Sequence, residues 1–485
     1  MDIGRQARVL EAAALFCAVA FGAGTVHAQD YGTRAILAVD YTLEIPAVQV
    51  GEKFYRVYLT YEGPSWLVAA AVNIHPRDSA YTAGSYTNGV LDLDCVYHNG
   101  KHYSARLVSA GPQGRTFTLA SATKLAACPL PDGIGPARGA WIKTAASPLG
   151  ARSEVSLAWL GGEIIVFGGR AYFCRDTASC AAPSAPPFRD GAAYNPVTDS
   201  WRRLADAPVG IGGSTVTAGN AMFVLTYPDY TLQSVRLLRY RPAQNSWDEI
   251  ALPASPAGMT LAAFGADLVL YSRGDEYGAK ADWLLDTATG QWTQVPEDPL
   301  GAGFSRRYVA LGEDLYLFDH ALTPSPGGAS GPSYLRAARL RGQRWETLPT
   351  APSIGSAPDL VDGRRLIAPA LGCADGGQIN GYGRCIPFGA VFDTETDTWQ
   401  ELPAAPGRGI TYFPSSGGFG DGGLVLYDPG HPALDATTNS WFIVPALDTD
   451  PVTVHNVQAV GPYGFVSGGA GFGGELLHDT WIWRP

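Results

Sequence analysis

A tryptophan recurs seven times along this chain with similar neighbours, and this repeat limits the possible folds more than any other feature. Most copies follow an apolar residue and a short polar turn, as in residues 194–201 (YNPVTDSW) and 392–399 (FDTETDTW). A period near fifty residues indicates that one small supersecondary unit is repeated. The copies are Trp141, Trp201, Trp247, Trp292, Trp345, Trp399 and Trp441.

Each unit is predicted to form a four-stranded antiparallel sheet. In the first unit, strands are expected at residues 154–160, 163–167, 191–194 and 201–204, with glycine pairs or polar turn residues between them. The apolar second strand recurs at residues 221–225, 267–271, 314–318, 365–368 and 423–427. A lone sheet of this size cannot bury both of its faces, whereas sheets stacked radially can. The repeat therefore predicts an all-β fold, a β-propeller.

Residues 138–485 resemble the kelch family of propellers. The shared features are the diglycine after the second strand, the aromatic residue before the polar turn and the Trp after it. Diglycines stand at Gly168-Gly169 and Gly468-Gly469, and the other five units lack them. Three of those units have Leu225-Thr226, Ser272-Arg273 and Asp319-His320 at the corresponding places. Kelch repeats are about fifty residues long, so the resemblance implies a kelch-type propeller.

The number of blades depends on how the ring closes. Residues 453–483 supply three strands and no fourth-strand Trp, whereas the strand at 140–145, which carries Trp141, has no partners nearby in sequence. We expect this strand to complete the last blade, which gives a seven-bladed propeller at 140–485, with six blades as the alternative. The recurring Trp residues are then expected to pack blades together rather than to contact a ligand.

The chain begins with features of a secretory signal peptide over residues 1–28. Arg5 and Arg8 precede an apolar run at 12–21, and small residues end at Ala28, where cleavage is expected. The sequence therefore predicts a secreted or periplasmic protein. The formal net charge of −11 disfavours binding to nucleic acid or an anionic membrane. We expect a monomer with no transmembrane span after cleavage.

Six cysteines follow the signal peptide, and an even number in an exported chain indicates disulfides. Their positions favour three local pairs, although six cysteines allow fifteen pairings. Close C-x-x-C spacing is absent, so no metal site and no cofactor are predicted. In the favoured pairing, Cys95 bonds to Cys128, Cys174 to Cys180, and Cys373 to Cys385.

Residues 29–128 have a duplication of their own. Leu43, Ile45, Val48, Tyr55 and Leu59 correspond, at one constant offset, to Leu91, Leu93, Val96, Tyr103 and Leu107. Each copy reads as an alternating strand, a turn and a second alternating strand. The sequence predicts a small all-β module of two similar hairpin units, joined to the propeller by a Pro- and Gly-rich linker at 129–139.

Two long loops, at residues 170–190 and 372–387, contain candidate disulfides and are expected on the same face of the propeller. Disulfides reduce the cost of ordering a binding loop, although they also protect exposed loops from proteolysis. Arginines before the innermost strands would converge on that face and bind a carboxylate, or they would form salt bridges with neighbouring loops instead. These arginines are Arg152, Arg306 with Arg307, and Arg408; Tyr172, Phe173, Tyr382 and Phe388 would stack on sugars or pack within their own loops.

These features favour a binding module for a glycan or a protein partner over an enzyme. The alternative is an acidic-sugar mutarotase or epimerase, with Glu154, Asp190 and His455 as candidate acid–base residues. The Arg-rich face is similar to that of sialic-acid mutarotases, which are exported kelch propellers. Galactose oxidase needs a cysteine cross-linked to tyrosine, and with all six cysteines predicted to pair, none is left for that role.

Overall fold

The computed structural model is all-β in the residues that it describes. These are residues 35–485 without 38–40, 75–83, 99–100, 111–114, 127–133, 172–184, 229–233, 254–257, 275–280, 322–334, 352–356, 359, 369–371, 374–384, 387–388, 404–423, 426–431, 446, 448–453 and 471–475. The predicted signal peptide lies outside them. Over the described residues, no helix has the length and hydrophobicity needed to cross a membrane.

The first module is an eight-stranded sheet in the order β1-β2-β3-β4-β8-β7-β6-β5. Its two ends meet, because β1 also pairs with β6 and β2 with β5, so the sheet curls into a barrel-like module. The strands are Ala35–Leu37 (β1), Thr42–Val50 (β2), Lys53–Glu62 (β3), Ser65–Ile74 (β4), Gly84–Thr87 (β5), Val90–His98 (β6), Lys101–Ser109 (β7) and Thr116–Leu125 (β8).

The duplication seen in the sequence appears in the structure as an internal two-fold relation between β1–β4 and β5–β8. At one junction Trp66 of β4 pairs with Phe117 of β8. At the other, Ala35 pairs with Val96 and Gly84 with Val48, which are equivalent contacts. Both β2 and β6 carry a bulge at the equivalent point of the duplication. The inward residues of both halves form a single apolar core.

The propeller has seven blades, as the repeat predicts, and the first five are continuous in sequence. Blades 1 to 3 contain Ser156–Leu160, Glu163–Phe167, Gly191–Asn195 and Ser200–Arg203 (β11–β14); Gly213–Ala218, Ala221–Thr226, Arg236–Arg241 and Ser246–Ile250 (β15–β18); and Met259–Phe264, Asp267–Ser272, Trp283–Asp286 and Gln291–Gln294 (β19–β22). Blades 4 and 5 contain Gly303–Leu311, Asp314–Ala321, Leu335–Arg341 and Arg344–Leu348 (β23–β26); and Leu360–Asp362, Arg365–Ala368, Ala390–Asp393 and Thr398–Glu401 (β27, β28, β31 and β32).

Strands from both ends of the propeller sequence complete the ring. In blade 7, Trp141 pairs with Trp483, so the strand that carries Trp141 is the fourth strand of the last blade. This closure is the one expected from the sequence. Blade 7 contains Val454–Val460, Tyr463–Ala470, Thr480–Arg484 and Ala140–Lys143 (β36–β38 and β10); the described strands of blade 6 are Leu424–Val425, Pro432–Asp435 and Ser440–Ile443 (β33–β35), with Ile134–Ala137 (β9) added.

Strand β9 lies within the segment expected to be a linker. It pairs in parallel with β35 of blade 6, where Ile134 lies opposite Trp441. Pro136 suits an edge position, because proline cannot donate a hydrogen bond to a neighbouring strand. The buried Ile134 and Cys95 share an apolar cluster with blades 5 and 6, against which Leu125 also packs. The first module is therefore joined to the propeller through packed residues as well as through the chain.

The recurring tryptophans connect each blade to the preceding one. Six of the seven indole N–H groups donate a hydrogen bond to a backbone carbonyl of the preceding blade. In each case the acceptor residue lies four positions after the recurring Trp of that preceding blade. Each indole thus joins two fourth strands. The donor and acceptor pairs are Trp141 and Pro445, Trp201 and Ala145, Trp247 and Ala205, Trp292 and Ala251, Trp345 and Pro296, and Trp399 and Pro349, at 2.8 to 3.1 Å.

Candidate functional site

The antiparallel order of each blade gathers its variable segments at one end. The connection between the second and third strands and the segment that leads into the next blade both lie at the end opposite the tight turn between the first two strands. We call this end the loop face. It includes the described ends of the two long loops, and the segments 144–155 and 204–212 before blades 1 and 2.

Arg152 is buried on the loop face and bound to its own blade. Its Nη1 and Nη2 atoms donate to the two carboxylate oxygens of Asp190 at 2.8 and 3.1 Å, and Nη1 also donates to the carbonyl of Gly168 at 2.9 Å. The guanidinium lies 4.4 Å from the centre of the Phe188 ring. Two predicted site residues, Arg152 and Asp190, therefore meet, and they join the segment before the first strand to the end of the long loop.

Arg306 joins blade 4 to blade 3 in a similar way. Its guanidinium binds both oxygens of Asp282 at 3.2 and 2.7 Å, and also Asp298 at 2.9 Å. Tyr308 donates its hydroxyl to Asp282 at 2.8 Å. Burial alone would lower the pKa of Arg306, but the hydrogen bond and charge of Asp282 outweigh it and raise the pKa. Burial and the same carboxylate raise the pKa of Tyr308.

Polar side chains replace the first glycine of the diglycine in three blades. Gly168 has no room for a side chain, since a Cβ there would lie 2.2 Å from the carbonyl oxygen of Ile211. Blades 2, 3 and 4 have Thr226, Ser272 and Asp319 in the equivalent register, all buried. In blade 2 this corrects the sequence alignment by one residue, since that alignment placed Leu225 at the first glycine. Each side chain finds a local partner: Gly210 for Thr226, Gly274 for Ser272 and Arg336 for Asp319.

Asp319 and Arg336 form an ion pair on the loop face of blade 4 in which the acid is deeply buried. The guanidinium donates to the two Asp319 oxygens at 2.8 and 2.7 Å, and the acid side chain is 1% exposed. Burial raises the pKa of Asp319, outweighing the hydrogen bond from Arg336, which lowers it. Gly303 is needed beside this pair, because a Cβ there would lie 1.9 Å from an Asp319 oxygen.

Glu154 lies beside the Arg152 contact with a different environment. Its side chain is 51% exposed and forms an ion pair with Arg170 at 3.1 Å. Ser153 and Arg170 form a backbone bridge, so the segment before the first strand and the start of the long loop meet here. His455, the third predicted acid–base residue, is in β36 opposite Gly469 in blade 7, in a different blade from Glu154 and Asp190.

Several predicted site residues lie outside the described residues. These are Arg408, Tyr172, Phe173, Tyr382 and Phe388, with Cys128, Cys174 and Cys180. Cys95 is disulfide-bonded, and its pairing with Cys128 stays a prediction. Cys373 and Cys385 lie directly opposite each other in a two-stranded ladder of Gly372–Cys373 (β29) and Cys385–Ile386 (β30). Residues opposite in an antiparallel pair have the Cα separation that a disulfide needs, so the predicted 373–385 bond is compatible with the backbone.

Asp282 and Asp298, the two carboxylates that bind Arg306, were not predicted from the sequence. Asp282 directly precedes the third strand of blade 3, as Asp190 does in blade 1, and Asp298 lies eight residues before Arg306. The position of an acidic residue immediately before the third strand could have identified Asp282 as a partner for a loop-face arginine. Asp319 was noted only as a departure from diglycine, although an ionisable residue in an apolar strand needs a partner.

The described part of the chain contains no group of three or more His, Cys, Asp or Glu side chains that could hold a metal ion. It has a groove of about 110 Å³ between the outer parts of blades 3 and 4, lined by Phe264, Leu284, Val295 and Leu340 among others. None of the ion-paired residues described above lines this groove.

Two solved structures that resemble this chain share little of its sequence. No protein-family model and no curated protein matches the sequence. The structure of YjhT is 14% identical, with a TM-score of 0.35 over 66% of this chain and 95% of its own. A fungal alcohol oxidase of the AA5 family, solved in complex with copper, is 12% identical, with a TM-score of 0.38 over 96% of this chain and 76% of its own. The seven-bladed architecture follows from the strand pairing of this chain itself.

Proposed function

We propose that this protein is an exported binding module and that the loop face of its propeller holds a glycan or a protein partner. The observation that carries this proposal is the way in which buried ion pairs fix the segments of that face. Arg152 with Asp190, Arg306 with Asp282 and Asp298, and Arg336 with Asp319 hold strand ends and inter-blade segments in place. A surface that is already ordered loses little conformational entropy when a partner binds.

The same contacts favour binding over the acidic-sugar enzyme. That alternative requires guanidinium groups that receive a substrate carboxylate. Arg152 and Arg306 each bind a protein carboxylate through two nitrogens, and Arg306 binds a second one as well. A substrate carboxylate would have to displace these acids, and the buried Asp282 would lose its ion pair, which is costly.

A steric block on the loop face tests the proposal. A Cβ at Gly150 would meet no atom within 4 Å, so Gly150→Arg adds a long side chain beside Arg152 without a clash at its base. Val197→Arg is the matched control, since Val197 is 86% exposed in the turn between the third and fourth strands of blade 1. Binding is measured on a glycan array and by co-purification from the secreting cells.

We expect Gly150→Arg to reduce binding at least tenfold and Val197→Arg to leave it unchanged. Equal binding by wild type and Gly150→Arg would reject the loop face as the binding surface. Turnover of an acidic sugar anomer by the wild type, measured by NMR, would instead support the enzyme. Intact-mass measurement tests export separately, because the processed protein is expected to begin at Gln29.

A further inference from the structure

Three blades place a residue of left-handed backbone conformation six positions before the end of their first strand. The first strands end at Leu160, Phe264 and Leu311, each followed by a two-residue turn. Six positions earlier lie Glu154, Gly258 and Ser305, with φ of 54°, 72° and 51°. Residues with a Cβ are strained in this conformation by about 1–2 kcal/mol, whereas glycine adopts it freely. The backbone at Gly258 of blade 3 is therefore unstrained, whereas the backbone at Glu154 of blade 1 is strained.

The contacts of Glu154 within the protein do not account for this strain. Its one described side-chain partner is Arg170, and the acid is 51% exposed. Ion pairs between exposed groups contribute little to stability, because water screens them. A non-glycine residue kept in this conformation is typical of sites where a side chain must be held toward a ligand.

Charge limits the kind of ligand that this corner of the loop face accepts. Two ion pairs lie in adjacent parts of the chain, Arg152 with Asp190 and Arg170 with Glu154. The acid and base of each pair neutralise each other. Arg203 also lies 3.9 Å from Asp190, but its side chain is 63% exposed and therefore screened by water. Carboxylate oxygens that accept hydrogen bonds, next to guanidinium groups that donate them, match a neutral molecule rich in hydroxyl groups.

We propose that Glu154 and Arg170 form a binding site for a neutral sugar on the loop face of blade 1. The Glu154 carboxylate accepts hydrogen bonds from sugar hydroxyl groups, and the Arg170 guanidinium donates to sugar oxygens. The left-handed backbone at Glu154 directs this acid for ligand contact at a cost in stability. This inference rests on the proposed binding function and gives it a ligand class and a named contact.

The test separates a ligand contact from a structural role with three variants. Glu154→Gly removes both the strain and the carboxylate, and Glu154→Gln keeps the strain and size but removes the charge. Ser305→Gly relieves the strain at the left-handed residue of blade 4, which lies in a β-bulge. Melting temperature is measured for each. Affinity is measured by calorimetry with methyl glycosides of glucose, galactose, mannose and N-acetylglucosamine, and with N-acetylneuraminic acid as the acidic probe.

We expect at least one neutral glycoside to bind the wild type, and Glu154→Gly and Glu154→Gln to bind it at least tenfold more weakly. Glu154→Gly should melt at the wild-type temperature or about 1–2 °C higher, and Ser305→Gly should keep full affinity. A fall in melting temperature of about 4 °C or more in Glu154→Gly would show a structural residue instead. Unchanged affinity in the Glu154 variants would also show that Glu154 is not a ligand contact. If the wild type prefers the acidic probe, or binds no glycoside, the proposed ligand class is wrong.

These outcomes are distinct from failure of the proposed function. If Gly150→Arg abolishes binding to a glycan or protein while the Glu154 variants retain it, the loop face stands as the binding surface and the Glu154 site is rejected. If Gly150→Arg and the Glu154 variants all bind normally, both proposals are rejected.

Discussion

The outer edge of the propeller repeats its contacts from blade to blade, whereas the loop face does not. At the outer edge, an indole donates to the carbonyl four residues after the preceding Trp in six blades. On the loop face, blade 1 uses Gly168 where blade 2 uses Thr226 and blade 4 uses Asp319. The ion pairs also differ. The acid before the third strand of blade 1, Asp190, is replaced in blade 4 by the base Arg336.

This difference shows which part of a repeated fold is free to specialise. The outer contacts join neighbouring blades around the ring, so a change in one blade must suit the blades on both sides. The loop-face contacts are made within a blade or to one neighbour, and their chemistry varies accordingly. The variable face is therefore where selective recognition can develop without loss of the ring.

Loss of the base that pairs with the buried Asp319 of blade 4 is the largest effect that we predict. Arg336→Ala leaves the Asp319 carboxylate, which is 1% exposed, without its partner. Breaking a buried ion pair in this way costs about 3–5 kcal/mol. We expect a corresponding fall in the free energy of unfolding, measured by urea denaturation at pH 7 with tryptophan fluorescence.

Arg341→Ala is the control for Arg336→Ala, because Arg341 binds Asp314 through two nitrogens in the same blade but is 68% exposed. We expect its unfolding midpoint to stay close to that of the wild type. If the two variants lose similar amounts of unfolding free energy, burial does not make the Arg336–Asp319 pair more important for stability than the exposed Arg341–Asp314 pair.

A pair of glycine substitutions measures how closely neighbouring blades pack at the loop face. Gly161 and Gly168 are both left-handed, with φ of 60° and 67°. A Cβ at Gly161 meets nothing within 4 Å, whereas one at Gly168 would lie 2.2 Å from the carbonyl oxygen of Ile211 before blade 2.

Gly161→Ala should therefore cost only the conformational strain, about 1 kcal/mol, and Gly168→Ala should cost at least about 2 kcal/mol more because the backbone must move. Urea denaturation of both variants checks this. If the two losses are equal, the contact between blades 1 and 2 is looser than the structure indicates.

The sequence was most informative where the contacts are local. The strands and turns of blades 1 to 5 follow from residues within a few positions of one another, and the closure by Trp141 follows from a missing fourth strand. The constant offset between the two halves of the first module likewise predicted the two similar hairpin units. It did not predict that their ends would pair, as Ala35 does with Val96, because that pairing joins residues far apart in sequence.

The loop-face contacts could not be predicted, since they depend on register between strands. Asp319 and Arg336 lie opposite each other only because the second and third strands of blade 4 pair at that point. Arg306 finds Asp282 in the preceding blade. Strand β9 was also missed, because the Pro and Gly residues of its segment are typical of a linker, and its pairing partner, near Trp441, lies towards the other end of the propeller sequence.

The smallest predicted effect concerns the outer edge of blades 1 and 2. The same contact is made by an acid in blade 1 and by an amide in blade 2. The Oδ1 atom of Asp199 accepts hydrogen bonds from the Ala145 N–H and the Tyr194 hydroxyl, both at 2.8 Å. Asn245 accepts the same two bonds in blade 2, from Ala205 and Tyr240. The backbone hydrogen bond from Ala145, followed by that from Tyr194, lowers the pKa of Asp199 from 3.8.

A lowered pKa means that ionised Asp199 stabilises the folded state above pH 3.8, and that this contribution is lost as the pH falls through the folded pKa. Asp199→Asn should leave the unfolding midpoint at pH 7 nearly unchanged, because Asn245 shows that an amide makes the same bonds. Below about pH 4, where the unfolded acid takes up protons, the wild type should lose stability relative to Asp199→Asn. Asn245→Asp should gain the same acid sensitivity in blade 2. Thermal melts from pH 7 to pH 2.5 test both, and a stability difference that stays constant over this range would show that the charge of Asp199 has no part in joining the blades.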